Sequence, residues 1–437
     1  MRKKVALHNL GCKVNAYETE AMQQMLIEAG YSIVPFAPGA DIYIINTCTV
    51  TNIADRKSRQ MLHKAKKMND KAIVVAAGCY VQAGKENQEI DQAIDIVIGN
   101  NKKQDLIQIL NTYEHGDGKN CRQEMIADIS QPMEYENLQL DRTGEHTRAY
   151  IKVQDGCNQF CSYCIIPYVR GRVRSRRKEE VIEQIKRLTM NGYKEFVLTG
   201  IHLSSYGVDC EESLLSLIQA IHSISGVKRI RLGSLEPGVI TEEFIREIYK
   251  MPKLCPHFHL SLQSGCDETL TRMNRRYRTS KYQEKCNLLR GYFENPALTT
   301  DIIVGFPMET EEEFRRSLEF IKEIGFYEIH VFKYSKREGT KAAVMPRQVS
   351  EERKMKRSRE LIALGSRLKK EYMESLIGKN AEILIEEETQ ILNEFYWTGY
   401  TREYLKVGIR CEKNLKNKII MGEIRGFLTK DIMICEI

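Results

Sequence analysis

No apolar stretch in this sequence is long enough to span a bilayer, and no basic N-terminal segment runs into an apolar core as a secretory leader would. The chain therefore reads as cytoplasmic, with no membrane partner. An even cysteine count is also missing. Thirteen cysteines in 437 residues, an odd number in a chain expected to sit in a reducing compartment, point to metal ligation and ordinary burial rather than to a disulfide framework. There is one tryptophan, and charge is mixed with a formal excess of +7. That excess permits a polyanionic partner without requiring one. The length calls for two or three domains.

Against these absences stands one dense cluster, the stretch DGCNQFCSYCIIPYVRGRVRSRR from Asp155 to Arg177. Cys157, Cys161 and Cys164 form a C-x3-C-x2-C array that follows a predicted strand, AYIKVQ, and runs into a series of arginines. Thiolates this close in sequence can reach one metal centre. A fourth Cys or His at similar spacing is absent, and the nearest downstream candidate, His202, lies beyond a predicted helix and strand. Two readings follow: a structural zinc loop with a distant fourth ligand, or a thiolate-bound cluster of four irons with one iron left open.

The N-terminal region alternates strands (VALHNL, DIYIIN, AIVVAAG, DIVIGN) with helices (ETEAMQQMLIEAG, ADRKSRQMLHKAKKM), which predicts a parallel α/β sheet. Cys12, Cys48 and Cys79 each come just after a strand. In an open parallel sheet the strand ends share one edge, so three thiols converge there, either as a second metal centre or as buried small residues. Residues 113–145 read as a linker. From Arg148 six strand–helix units follow (AYIKVQ, EFVLTG, RIRLGS, HFHLSLQ, TTDIIVGF and EIHVFKY with their helices), predicting a partial (β/α)6 barrel whose post-strand loops make the site. Those loops carry Thr199, Gly200, His202, Ser234, Glu236, Gln263, Ser264, Gly265, Gly305 and Glu309. A long charged helix stops at Gly378, and short strands after it predict a small β-barrel. Tyr396, Trp397, Tyr400 and Tyr404 lie there among Lys and Arg, a composition suited to stacking on RNA or, equally, to an ordinary capping unit.

Taken together, LGCKVN, NTCTVTNIADRKSRQ, AGCYVQ, GCNQFCSYCIIPYVRGRVRSR, TGIHLSSYG, LGSLEP, LSLQSGCDETLTRMNRRY and DIIVGFPMETEEEF resemble, in order, the methylthiotransferases of the radical S-adenosylmethionine (SAM) enzymes. The resemblance spans essentially the whole chain. It implies a flavodoxin-like α/β domain over 1–112, a linker over 113–145, a radical SAM core over 146–375 and an RNA-binding TRAM-like barrel over 376–437. It also implies two [4Fe-4S] clusters: Cys12, Cys48 and Cys79 hold the auxiliary one, and Cys157, Cys161 and Cys164 the one that binds SAM. Thr199, Gly200, Ser234, Glu236, Gln263 and Gly305 are the implied SAM contacts. The chain departs from the common Gly-Gly-Glu pattern with Thr199-Gly200-Ile201.

Within the family, KVN after Cys12 is most similar to members that modify N6-threonylcarbamoyladenosine at position 37 of tRNA. Members acting on isopentenyladenosine-37 or on a ribosomal protein aspartate remain alternatives, as does a zinc-containing nucleic-acid-binding protein. A flavodoxin- or ferredoxin-type electron donor is implied. Because the threonyl group carries a carboxylate, an arginine among Arg170, Arg172, Arg174, Arg176 and Arg177, or between Arg275 and Arg278, is expected to read it.

Overall fold

The structure is a computed structural model that describes residues 2–84, 91–115, 123–131, 133–141 and 147–437. In the first third, short apolar runs such as IYIINT and IVVAAG become strands that turn directly into helices. Six of them, β1 (Lys4–Asn9), β2 (Ser32–Ile33), β3 (Ile42–Thr47), β4 (Ile73–Gly78), β5 (Ile96–Ile98) and β6 (Gln123–Met125), form a sheet in the order 2-1-3-4-5-6 with every neighbouring pair parallel. Apolar layers cover both faces. Val5, Ile42, Ile44 and Val75 pack with Met22 and Leu26 of the helix Lys13–Glu28, while Tyr43, Ile45, Val74 and Ala76 pack with Leu62 and Ala65 of the helix Asn52–Met68. β6 comes from within the expected linker, of which residues 116–122, 132 and 142–145 lie outside the described residues.

The next part is an arc of six parallel strands: β7 (Arg148–Asp155), β9 (Glu195–Gly200), β10 (Arg229–Leu232), β11 (His257–His259), β12 (Ala297–Val304) and β13 (Glu328–Lys333). A bridge between Leu235 and Leu260 joins its two halves. β8 (Arg174–Ser175), which the sequence pattern did not suggest, adds an antiparallel edge to β7. Period-2 alternation sorts the strand residues sharply. Ala149, Ile151, Phe196, Leu198, Ile230, Leu232, Phe258, Leu298 and Ile302 face the helices in one large core. The alternate positions, which include Lys152, Glu195, Thr199, Arg231, His259, Asp301 and His330, give the concave face a polar lining. A closed eight-stranded barrel fills that space with apolar layers; this arc leaves it to charged and hydrogen-bonding groups.

The helix Glu351–Glu374 leads to a closed five-stranded barrel of β14 (Asn380–Ile391), β15 (Glu394–Thr401), β16 (Lys406–Ile409), β17 (Ile419–Thr429) and β18 (Ile432–Glu436). The run TGYTREYLKVGIR is divided between β15 and β16 by a turn with Tyr404 at φ +72°. The small barrel seats on the arc through Arg148–Glu386 (2.6 Å) and Arg229–Glu382 (2.8 Å). Several of its aromatics are engaged within the protein. Tyr404 stacks on Tyr400 (4.6 Å) and His257 (5.2 Å), and the Arg231 and Arg148 guanidinium groups lie over its ring at 4.7 and 5.1 Å. Trp397 packs in the small barrel's own core, and Tyr396 is buried. The arc's own cations thus lie over the Tyr400 and Tyr404 rings. No described helix is long and apolar enough to cross a membrane.

Candidate metal centres and the polar face between them

Each N-terminal cysteine sits where a strand ends. Cys12 opens the helix Lys13–Glu28 after β1, Cys48 follows β3, and Cys79 opens the short helix Cys79–Ala83 after β4. Backbone and side-chain bonds fix them. Ser58 Oγ accepts from the Cys48 amide (3.2 Å) and donates to its carbonyl (3.1 Å), and Asn15 Nδ2 donates to the Leu10 and Thr47 carbonyls (both 3.0 Å). Gly78, just before Cys79, adopts φ +96°, and a Cβ there would lie 2.6 Å from Asn46 Oδ1. Only glycine turns this strand so tightly into its thiol. The three thiols lie in one another's electrostatic field. Burial pushes Cys48 up to about 11, and the neighbouring Cys79 and Cys12 add to the shift. Cys12 opens to solvent, yet the protein packed around it raises its thiol as well.

The second triad lies in one loop after β7. The Cys157 amide donates to the Gly171 carbonyl (3.0 Å) and the Cys164 amide to that of Cys161 (2.9 Å). Gly156 has φ +70°, and a Cβ there would overlap the Arg172 carbonyl oxygen. Segment 272–275 clamps the loop from outside: Ser162 Oγ donates to the Arg272 carbonyl (2.7 Å), and Asn274 Nδ2 to that of Phe160 (3.0 Å). Burial pushes the Cys157 thiol up to about 11 and Cys164 up to about 12, with Cys161 adding to both. Both triads are free of disulfides. Three soft donors gathered at one sheet edge, and three more in one loop, suit iron–sulfur clusters that each keep one open iron.

The two centres are joined. The helix carrying Cys79 packs on Ile165, Ile166 and Val169, just beyond Cys164. Asn100 Nδ2 reaches both Cys79 Sγ (3.5 Å) and the Val169 carbonyl (2.7 Å). Arg170 completes the junction. It is fully buried and bonds Asn15 (2.8 Å) and Glu18 (2.9 Å) of the N-terminal helix and Asp155 (3.0 Å) of β7. Lys152 and Lys103 share Glu18 at 2.7 and 3.1 Å. Three cations, with Arg174 as a more distant fourth at 3.8 Å from Asp155, thus meet two carboxylates.

These contacts correct the arginine expectation for three positions. Arg170 is a structural tie, Arg176 is buried against Gln184 and Tyr17, and Arg174 is buried against the Arg172 carbonyl and Asp155. Each is spent on the protein itself. Arg172 and Arg177 are exposed, and Arg172 lies over the Phe160 ring at 4.7 Å. Arg275 bridges Cys161 Sγ (3.2 Å) and Glu236 (2.9 Å), and Glu236 also meets His202 (3.3 Å). Among the other expected SAM contacts, Thr199 is buried at the end of β9, and Gly200 lies against Gln154, whose amide caps the Asp155 and Gly156 carbonyls (both 2.7 Å). Gln263 is buried at φ +69°, Ser234 is exposed, and Gly305 is taken up by a turn to Glu309 (2.7 Å) under Lys354.

Sequence reasoning passed over the concave face itself. His259 Nε2 lies 3.2 Å from Asp301, its Nδ1 is 2.9 Å from Thr299 Oγ1, and its ring stacks on His330 at 5.7 Å. Burial works against the Asp301 carboxylate, but His259 holds its pKa below the usual range. Lys13, beside Cys12, shares the electrostatic field of Asp301, Arg231 and Arg148 across this face. The signal was available as polar residues at alternate positions of HFH and TTD.

Two family models match: the Radical SAM superfamily over residues 151–321 and the uncharacterized protein family UPF0004 over residues 4–99. The chain is 42% identical to the threonylcarbamoyladenosine tRNA methylthiotransferase MtaB of Bacillus subtilis (strain 168), over 96% of this chain and 93% of that one. It is 39% identical to the protein of the same name from Aquifex aeolicus (strain VF5), over 93% and 98%. It is 32% identical to the tRNA-2-methylthio-N(6)-dimethylallyladenosine synthase of Finegoldia magna, over 95% and 91%. Among solved structures, the radical S-adenosylmethionine methyltransferase TsrM from Kitasatospora setae shares the fold at TM-score 0.56 and 14% identity, over 79% of this chain and 77% of that one.

Proposed function

From the premise that the chain belongs to the radical SAM tRNA methylthiotransferases, enzymes that act on tRNA with SAM and a [4Fe-4S] cluster, we propose that it methylthiolates carbon 2 of N6-threonylcarbamoyladenosine at position 37. The observation that carries this reading is the junction of two thiol triads through Asn100 and Arg170. The nucleoside is supported by the relatives named for it, which are more similar to this chain than the relative named for dimethylallyladenosine.

In this reading Cys157, Cys161 and Cys164 hold the SAM cluster and Cys12, Cys48 and Cys79 a second one. When bound, the first cluster would pass an electron from the reductant to SAM, whose cleavage would give methionine and a carbon radical able to remove the hydrogen of an unactivated C–H bond, and the second would supply a sulfur close to that carbon. The chain's own residues position the reactants. Arg275 holds Glu236 beside Cys161, and Glu236, Thr199, Gly200 and Gln263 line the strand ends where SAM is received, with Ser234 and Gly305 in the neighbouring loops. Lys13, His259, Asp301 and His330 offer the polar face to the nucleoside. The division 1–112, 113–145, 146–375 and 376–437, a flavodoxin- or ferredoxin-type reductant and a cytoplasmic location belong to the same reading.

Nucleoside mass spectrometry of tRNA from a deletion strain tests it. The expected result is loss of 2-methylthio-N6-threonylcarbamoyladenosine with accumulation of the unthiolated nucleoside. Accumulation of isopentenyladenosine instead would overturn the substrate.

A further inference from the structure

Tyr400 and Tyr404 are engaged with the arc, and a separate basic surface lies on the N-terminal domain beside the strand-end triad. We propose that the anticodon arm of the tRNA docks on a basic face built from the helix Asn52–Met68 and the segment 333–347; this rests on the tRNA reading above.

The helix starts four residues after Cys48. Its inner side carries Ser58, which fixes the Cys48 backbone, and Leu62 and Ala65, which pack on the sheet. Its outer side carries Arg56, Lys57, Arg59, Lys64 and Lys67, all exposed. Among the described residues none of the five has an ion-pair partner, whereas the other ionic groups of the helix do: Asp55 meets Arg337 (2.6 Å), Lys66 meets Asp95 (3.1 Å) and His63 meets Asp91 (2.5 Å). Arg56, Arg59, Lys64 and Lys67 line a single furrow, as their three-, eight- and eleven-residue offsets require. They span roughly 16 Å of helix. Five uncompensated cations on one helix, in a chain whose whole excess is +7, concentrate the positive field at one place. A merely solvated helix gains from interspersed acids, because like charges three or four apart repel. Here the one acid, Asp55, is withdrawn into the junction.

A second element continues this face. Ser335 Oγ accepts from the Asn52 amide (3.0 Å), and Arg337 bonds Asn52 and Thr49 (both 2.7 Å), so segment 333–347 is pinned to the start of the helix. It presents Lys336, Lys341 and Arg347 with a single acid, Glu338, all exposed and without ion-pair partners among the described residues. Next to it, Phe332 on β13 is 47% exposed and shares a strand face with His330. A row of cations beside an aromatic ring at the mouth of a polar concavity fits a nucleic acid whose phosphates are held outside while one unpaired base enters.

The test compares the reconstituted holoenzyme with a variant carrying R56Q, R59Q, K64Q and K67Q, and with a second carrying K413Q and K416Q on the C-terminal barrel. Iron content checks that each is folded. For the helix variant, tRNA affinity should fall about tenfold or more, and the slope of log K against log salt should become shallower by about three, near one for each phosphate no longer neutralised. The helix variant should lose more affinity than the barrel variant, and tRNA-independent SAM cleavage should be equal in all three. Unchanged affinity and slope in the helix variant overturn the proposal. So does normal tRNA binding with slowed reduction by a flavodoxin, which would make this face a site for an acidic protein. A wild-type enzyme that binds tRNA but leaves it unmodified would instead count against the functional reading.

Discussion

The two thiol triads are built in opposite ways. Cys157, Cys161 and Cys164 lie within one short loop, clamped from outside by segment 272–275, whereas Cys12, Cys48 and Cys79 come together only when β1, β3 and β4 are in register. The first is a property of a segment and the second a property of a sheet. A local site can be specified by spacing, but a site spread over three strand ends inherits the stability of everything that holds those strands.

The strongest way to break the comparison is to remove each set of thiols. Replacing Cys157, Cys161 and Cys164 by Ala should leave about half of the iron, because in the proposed reading each cluster would have its own cysteine ligands, and should abolish SAM cleavage. Replacing Cys12, Cys48 and Cys79 should keep SAM cleavage and stop methylthiolation. Iron and sulfide analysis with a SAM-cleavage assay reads both outcomes. If either folded variant loses all its iron, the two sites are not independent, and zinc in place of iron would refute the cluster assignment for both.

A smaller effect should come from the junction. Glu18→Gln removes a buried carboxylate from Lys103, Lys152 and Arg170, and breaking one partner of such a network costs about 3–5 kcal/mol. The loss should appear in the strand-end triad first, since Glu18 lies on the helix that Cys12 opens. In denaturant, the auxiliary cluster's absorbance should disappear at lower concentration than in the wild type, while the loop cluster holds longer. Simultaneous loss of both would make the junction, not the sheet, the common support.

The same contrast explains what was legible in the sequence. The loop triad could be read from spacing, and the six units of the arc from apolar alternation, because both signals are local. The strand-end triad could be read only as convergence at an edge. β2 and β8 are too short to show a period. The role of Arg170 was hidden because its partner Glu18 is 152 residues away in sequence, and that of Tyr404 because its partner Arg231 lies on the arc. In each case a polar residue with several possible partners took one that only the tertiary fold supplies.

The finest discrimination uses pH, because two carboxylates on the two sides are shifted in opposite directions. Burial works against ionised Glu18, but Arg170, Lys103 and Lys152 hold its pKa well below the ordinary value. Its contribution is therefore present above the usual carboxylate range and is lost as pH falls through its depressed folded pKa. Glu309, after β12, is pushed up to about 7 by burial, with Arg357 opposing. Its contribution is fully present below about 4.5, the ordinary value, and is lost as pH rises through about 7. Hydrogen exchange, compared at each pH between the wild type and the variants Glu18→Gln and Glu309→Gln, separates the two. Around Gly305–Glu309 the wild type should open more readily at pH 8 than at pH 5 once intrinsic exchange is corrected for. The change should be no more than about a hundredfold, at 1.36 kcal/mol per pKa unit, and Glu309→Gln should flatten it. At the Glu18 junction acid should instead promote opening, and only Glu18→Gln should remove that dependence. A loop after β12 that opens equally at both pH values would mean that Arg357 (2.7 Å away) keeps Glu309 ionised despite its burial, and the opposition between the two sides would disappear.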